Sequence, residues 1–349
     1  MAYAAITKPN LHFNLKLYTG TGSSNALTGI GHQPDLVWIK DRSEANWHNL
    51  YDVVRGVTKR VFTNQNNAEE TQAQGLTAFG TDGFTVGSNV DVNKSGNNYV
   101  AWSWKASNST GSANNDGSIA TTVAANTTAG FSIVKWTGTG SAGTLGHGLG
   151  AVPHTIWVKK TSQADDWFCW HTALGAQGKI NFNNTSAVQN DTGYWNNTTP
   201  TNQVFSVTSN GANNASGQTY IAYCFTSIKG YSKFGKYTGN GSTNGPFIYT
   251  GFRPAWIMTK KISGTADWMI RDKLRLGYND GWGDLYANTT GAEGTNDANT
   301  KSDILSNGFK LRMSHSNHNQ DGGDYIYMAF AENPFVANVG TNGIPATAR

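Results

Sequence analysis

One run of residues occurs three times in this chain, and any fold that cannot accommodate three copies of one pattern is excluded at once. Phe13–Gly22 reads FNLKLYTGTG, Phe131–Gly140 reads FSIVKWTGTG and Phe234–Gly241 reads FGKYTGNG. Each is followed by a Gly-rich turn and a proline (Pro34, Pro153, Pro254), with a lysine six residues later (Lys40, Lys159, Lys260). A tryptophan stands thirteen or fourteen residues after the proline: Trp47, Trp167 and Trp268. A phenylalanine (Phe84, Phe205, Phe309) then precedes an Asn/Gly turn and a closing aromatic strand, YVAWSW from Tyr99, YIAYCF from Tyr220 and YIYMAF from Tyr325. These stations place an N-terminal segment and first module in 1–110, a linker in 111–127, a second module in 128–229, a third in 230–335 and a tail in 336–349. Modules of this size are large enough for a core each.

Short aromatic and β-branched runs alternate with Gly/Asn clusters, and long apolar stripes of helical period are absent. The pattern predicts an all-β chain of three tandem antiparallel β-sandwich-like modules joined by Gly/Asn/Thr-rich linkers. Helix is expected only as a turn or two, for example around Ala68–Gln74. In the closing strands Val100, Trp102 and Trp104 share a core face with their counterparts Ile221, Tyr223, Phe225 and Ile326, Met328, Phe330. Beyond the leading Tyr the other face is small (Ala101, Ser103; Ala222, Cys224), as expected where a second layer approaches closely. After each proline, Trp38 with Lys40, Trp157 with Lys159, and Trp256 with Met258 and Lys260 share a face. That face is expected at the rim, with the lysine stem lying over the ring. Trp47, Trp167 and Trp268 are expected to be buried equivalents, and Cys169 and Cys224 to be buried free thiols.

Composition narrows the function. Charged residues make up 14% of the chain and the net charge is +4, against roughly 25% charged in ordinary soluble domains. No run of Lys or Arg exceeds a pair, which argues against nucleic-acid binding through a basic stripe. No apolar stretch approaches the ~20 residues that span a bilayer, so no membrane partner is expected. The N-terminal residues lack a charged region followed by an apolar one, and the reading is that the chain is made and folded in a cytosol.

Gly138, Gly140 and Gly143 spell the dinucleotide fingerprint, but TLGHGLGAVP follows instead of a helix, and the sister copies read GTGSSN and GNGSTN. The motif is therefore a repeat turn, and no cofactor is expected. The histidines form no metal-ligand set; His315 and His318 are three apart in a stretch that reads as a solvated turn. Asp52 and Asp272 occupy equivalent stations where the middle copy has His171, which argues against a required carboxylate, and Asp165, Asp166 and Asp267 read as turn caps. No catalytic constellation emerges, and the chain is not expected to be an enzyme or to hold a metal.

The stretches YTGNGSTNGPFIYTGFRPAWIMTKK, ILSNGFKLR and YIYMAFAENPF, with MAYAAITKPN and GSIATTVAANTTAGFSIVKWTGTG, resemble tail-fibre-like and other virion proteins of tailed bacteriophages, marine and cyanobacterial ones especially. The resemblance covers practically the whole chain. It implies a structural protein of the virion, assembled in the cytoplasm of the bacterial host, with other virion proteins as partners. The expected role is a tail fibre or tail-associated appendage that contributes to host-surface attachment; the alternative is a capsid decoration, head fibre or adaptor with a purely structural role. A homo-oligomer, a trimer in particular, is expected because multivalency strengthens adhesion. A host-surface glycan, if bound, should be contacted by aromatics peculiar to one copy, since aromatics common to all three serve the shared fold. Tyr194, Trp195 and Asn196 in the middle copy and Tyr278, Trp282 and Tyr286 in the third are such candidates.

Overall fold

The dyad alternation of large and small residues gives each long sheet two buried faces, and those two faces do different work. The computed structural model describes residues 4–279, 283, 285–294, 301–339 and 342–345. It is all-β, with 42% of residues in strands and 8% in helices. In the first third of the chain, β1 (Phe13–Thr19), β2 (Asn25–Thr28), β3 (Leu36–Asp41), β4 (Asn49–Asp52), β5 (Lys59–Phe62), β6 (Glu70–Thr71), β7 (Leu76–Gly80), β8 (Gly83–Val86) and β9 (Asn98–Trp104) form sheets ordered β1-β9-β3-β4-β5-β6 and β2-β8-β7. Next come β10 (Ser112–Asn114), β11 (Thr121–Asn126), β12 (Phe131–Thr137), β13 (Gly143–Gly146), β14 (Thr155–Lys160), β15 (Phe168–His171), β16 (Gly178–Asn181), β17 (Gln189–Asn190), β18 (Val204–Val207) and β19 (Thr219–Phe225), ordered β10-β11-β12-β19-β14-β15-β16-β17 and β13-β18. The last third has β20 (Ser232–Thr238), β21 (Phe247–Tyr249), β22 (Phe252–Lys261), β23 (Met269–Asp272), β24 (Leu285–Tyr286), β25 (Ser302–Leu305), β26 (Gly308–Leu311) and β27 (Asp324–Pro334), ordered β20-β27-β22-β23-β24 and β21-β26-β25. Val336–Val339 and Asn342–Pro345 pair as a separate hairpin. The long sheet thus recurs three times with one strand order.

One face of each long sheet looks inward to a single core common to all three. Val100, Trp102 and Trp104 meet Ile221, Tyr223 and Phe225 and then Ile326, Met328 and Phe330 in one cluster. The opposite faces (Tyr99 and Ala101; Tyr220, Ala222 and Cys224; Tyr325, Tyr327 and Ala329) pack under the small sheets in three separate clusters. The closing strands therefore have the faces expected of them, but the units do not each enclose a self-sufficient core. Cys169 lies in the common core and Cys224 in the outer one, both buried and free.

The face expected at the rim is the inner one. Trp38, Trp157 and Trp256 are buried, and so are Lys40, Lys159 and Lys260. Rim placement rested on the cost of burying an ammonium, but backbone carbonyls meet that cost here. Lys40 Nζ donates to the carbonyls of Asp41 (2.8 Å) and Thr290 (3.1 Å). Lys159 Nζ donates to those of Asp165 (2.7 Å) and Asn66 (3.1 Å), and Lys260 Nζ to those of Ala266 (2.6 Å) and Thr185 (3.0 Å). Each lysine joins its own turn to a neighbouring unit: first to third, second to first, third to second. Burial lowers all three ammonium groups to about 8.

Backbone bonds close the same ring. Asn46 N–H donates to Thr290 O, Asp165 N–H to Asn66 O and Ala266 N–H to Thr185 O, while Glu293, Glu69 and Val188 return bonds to Arg42, Thr161 and Ile262. The indole N–H of Trp167 donates to Phe62 O (2.7 Å) and that of Trp268 to Asn181 O (2.8 Å). Trp47 is not their equivalent. Strand pairing aligns Asn49 with Phe168 and Met269, so His48 holds that station and faces the Tyr286 carbonyl. Trp47 is half-buried and packs edge-on to Phe62; the spacing of thirteen rather than fourteen was the sign of this.

Two further expectations need correction. The stretch expected as a linker supplies β10 and β11, which extend the second long sheet through β12. Ala68–Gln74 contains strand β6, paired to β5 through Lys59 and Arg60, not a helical turn. Arg60 anchors it by donating to Glu70 (3.0 Å) and Asp91 (2.5 Å).

Because the core is shared, unfolding should be a single cooperative event. Trp157→Ala should cost ~3–5 kcal/mol and shift one urea transition, seen alike by fluorescence and near-ultraviolet circular dichroism; two resolved transitions would contradict a common core. Stability should also fall in mild acid. Burial holds His32 and His171 at about 4 and keeps His48 and His318 well below the ordinary value. Unfolded histidines take up protons near pH ~6.5, so the unfolded state gains protons that the native state refuses. The stabilising contribution is complete above about pH 6.5 and is lost as pH falls toward 4, at up to about 1.4 kcal/mol per histidine per pH unit. Buried Asp35, shifted upward, opposes this but is one group against four. Urea midpoints measured from pH 7.5 to 4.5 check the sign.

Candidate functional site

The residues proposed from sequence as ligand contacts do not converge on one surface. Trp195 is 1% exposed, and its indole N–H donates to Gly178 O at 3.1 Å. It is a core residue of the middle unit, packed near Phe168. Tyr194 is half-buried beneath the Lys179 ammonium, which lies 4.3 Å above its ring. Asn196 is exposed and ends the short helix Thr192–Trp195 in a left-handed conformation at φ 52°. In the third unit, the Tyr278 hydroxyl donates to Glu332 at 2.7 Å with the Arg253 guanidinium over its ring. Tyr286 sits half-buried on β24 opposite Met269. Trp282 lies outside the described residues. Of these candidates, Trp195 is a core residue and Tyr194, Tyr278 and Tyr286 are half-buried.

The glycine motif resolves into a clasp found in every unit. A Cβ on Gly20, Gly138 or Gly239 would lie 2.1, 2.2 or 2.3 Å from a backbone carbonyl of the loop after a one-turn helix. Each helix ends in a buried asparagine, Asn93, Asn214 or Asn319. Its side chain accepts from the backbone of the turn (Thr21, Thr139, Asn240) and donates to the carbonyl two residues on (Ser23, Ser141, Ser242). The glycines serve close approach of backbone to backbone, leaving no cradle for a pyrophosphate.

Other polar candidates are structural too. Asp52 and Asp272 are buried, bonded to Arg55 (2.5 Å) and Arg275 (2.6 Å), and each receives a donor from a neighbouring unit: Tyr223 at 2.7 Å and Trp102 at 3.1 Å. Asp166 and Asp267 accept from the amides of Asn183 and Asn288, and Asp165 caps its own turn. His318 is buried and not solvated, while His315 accepts from Asn317 N–H to start the helix Ser316–Asn319. Among the described residues, no group of three or more His, Cys, Asp or Glu is placed to hold a metal ion, and no helix is long and apolar enough to cross a membrane.

A cleft of about 670 Å³ remains, between the second and third units. Its floor is the start of β20 (Ser232, Lys233, Phe234); its walls are His154, the turn Ser227–Gly230, and Tyr249–Gly251 with Phe335. Two glycines shape it. Gly230 has φ +79°, and a Cβ there would press Ala4 at 2.7 Å; Gly251 turns the chain at φ +84° after Tyr249. Tyr249 is 54% exposed, and Phe335 and neighbouring Phe247 are also exposed. Lys233 Nζ donates to Tyr249 O at 2.8 Å and lies 5.1 Å over its ring, so cation and aromatic hold each other in place. His154 Nδ1 lies within hydrogen-bond distance of both the Thr226 hydroxyl (3.0 Å) and Ser227 N–H (3.2 Å). Burial lowers its pKa, so the ring is neutral at neutral pH. The cleft therefore offers ring faces, an ammonium, an imidazole and the Ser227 hydroxyl to a ligand.

The exposed rings and Lys233 are peculiar to the third copy. The buried residues Leu27, Leu145 and Ile248 pair with Phe84, Phe205 and Phe309, which aligns Tyr249 with Thr28 and Gly146, and Phe247 with Ala26 and Thr144. Lys233 aligns in the same way with Asn14 and Ser132. The criterion of aromatics peculiar to one copy holds for Phe247 and Tyr249 too, and the sequence carried that signal in PFIYTG against NALTG and GTLGH. It was applied instead to the longer loops, whose described aromatics are buried or half-buried.

No curated protein and no solved structure matches the chain. Residues 8–334 match the family described as a domain of unknown function, DUF7483, and the match spans all three long sheets. The chain is a member of that family.

Proposed function

We propose that this protein is a structural component of a bacteriophage virion, a tail fibre or tail-associated appendage that helps attach the particle to its host. The observation that carries the reading is the cleft between the second and third units, where exposed aromatic rings found only in the third copy stand beside polar groups of both. Ring faces set among a few polar groups are the usual composition of a ligand site. The resemblance of the repeat segments to virion proteins supplies the context. On this reading the partners are other virion proteins, copies of the chain itself and a host-surface glycan, and the protein acts by binding.

A purely structural role, as a capsid decoration or adaptor, is favoured by a different observation: the three units close a ring in which buried lysines and backbone groups hydrogen-bond across each joint. The two readings part at the cleft. Tyr249→Ala and Phe335→Ala should leave stability within about 0.5 kcal/mol, because both rings are exposed, whereas Trp195→Ala should cost ~3–5 kcal/mol as a buried residue; thermal unfolding of the purified variants checks this. Particles carrying Tyr249→Ala with Phe335→Ala should assemble normally and adsorb poorly. Normal adsorption by fully assembled particles would remove the attachment role and leave the structural one.

A further inference from the structure

We infer that the cleft between the second and third units is built for an acidic saccharide, a reading that rests on the attachment role proposed above. Its lining carries Lys233 and no Asp or Glu among the described residues. Several cations of the third unit are answered by carboxylates, Lys273 by Glu332 at 3.0 Å and Arg275 by Glu293 at 2.7 Å, whereas Lys260 and Lys310 are held by backbone carbonyls. Lys233 meets a carbonyl and a π face, both neutral. One of its three N–H donors goes to Tyr249 O, so two stay available to an anion. Its place on a strand at the sheet edge keeps the ammonium reachable from solvent.

The aromatic part selects what carries the anion. A bare inorganic anion has no use for ring faces, whereas a pyranose presents an apolar CH face that stacks on Tyr249 and on Phe335. The sugar's hydroxyls have the Ser227 hydroxyl and the His154 ring within the same lining. A volume near 670 Å³ suits a short stretch of oligosaccharide rather than a single small ion. The Lys233 charge, the stacking surface and the polar walls together suit a sugar that bears an acid group.

The test uses the purified full chain, with tetragalacturonate and its carboxyl-reduced neutral counterpart as probes, followed by calorimetry. The uronate should bind and the reduced sugar bind at least about tenfold more weakly, the ratio that one charge-assisted contact provides. Raising ionic strength from 50 to 300 mM should erode that preference. Lys233→Gln should abolish the preference, Lys233→Arg should retain it, and Tyr249→Ala should weaken both sugars together. Equal binding of the two sugars, or binding of neither by the folded protein, overturns the acidic-saccharide assignment. Failure of the attachment role looks different: uronate binding with the predicted salt dependence, together with normal adsorption of particles carrying Tyr249→Ala, keeps the ligand class and removes attachment.

Discussion

Three aromatic side chains from three sheets meet at the centre of the molecule, and the rest of the architecture is arranged so that they can. Trp104, Phe225 and Phe330 occupy the same position in the three closing strands, and their rings stand 6.2, 6.0 and 5.7 Å apart, each pair edge to face. Such pairs contribute about 0.5–1.5 kcal/mol beyond the area they bury, and they act only when all three sheets are present. Trp38 reaches from one unit to Trp157 of the next at 6.1 Å, and Trp256 packs against Trp104 at 5.8 Å. A sheet taken alone would expose this face to water, so the repeated units are stable as a set.

A dry aromatic centre raises a problem at its margins, where three turns bring unpaired backbone groups into the interior. The buried lysines answer it. An ammonium is a compact cluster of donors that can bond two carbonyls from two chain segments at once, and each lysine does so across a joint. Two joints also bury an Asp–Arg pair, Asp52–Arg55 and Asp272–Arg275, while at the third the middle unit has His171 and Leu174. The neutral histidine faces the Tyr327 carbonyl. Replacing a buried ion pair by neutral groups is tolerated when no partner is left charged and alone, and here both members are exchanged together.

The repeat stations, the strand character and the inner face of the closing strands were all legible in the sequence, because each follows from local periodicity. The burial of Lys40, Lys159 and Lys260 was not: a lysine read in isolation belongs near water, and the carbonyls that receive it come from residues 66, 185 and 290, in other units. Equivalence of Trp47 to Trp167 failed for a related reason. His48 shares with an indole an N–H at the right place, so function at that station passes between residue types that alignment by similarity would not join. Residues 111–127 read as a linker because Ser, Asn and Thr dominate them, yet Val123 and Ala124 supply enough alternation for β11 to pair with β12.

Repetition itself explains where a binding site can arise in such a molecule. Residues that serve the ring must satisfy the same geometry at every joint, which leaves them little freedom to diverge; the small sheets and the edges of the long ones face no such constraint. In the second unit, β11 covers the edge formed by β12. In the third, the corresponding strand β20 is terminal in its sheet and carries Lys233 and Lys236. Charged lysine on an edge strand discourages pairing with another chain, so the same residue that protects the edge from aggregation leaves a cation beside the opening. Tyr249 on the adjoining small sheet then needs only to replace a Thr or Gly of its sister copies to add an aromatic face. A protective edge and one divergent strand are sufficient to turn a structural repeat into a cleft with its own chemistry.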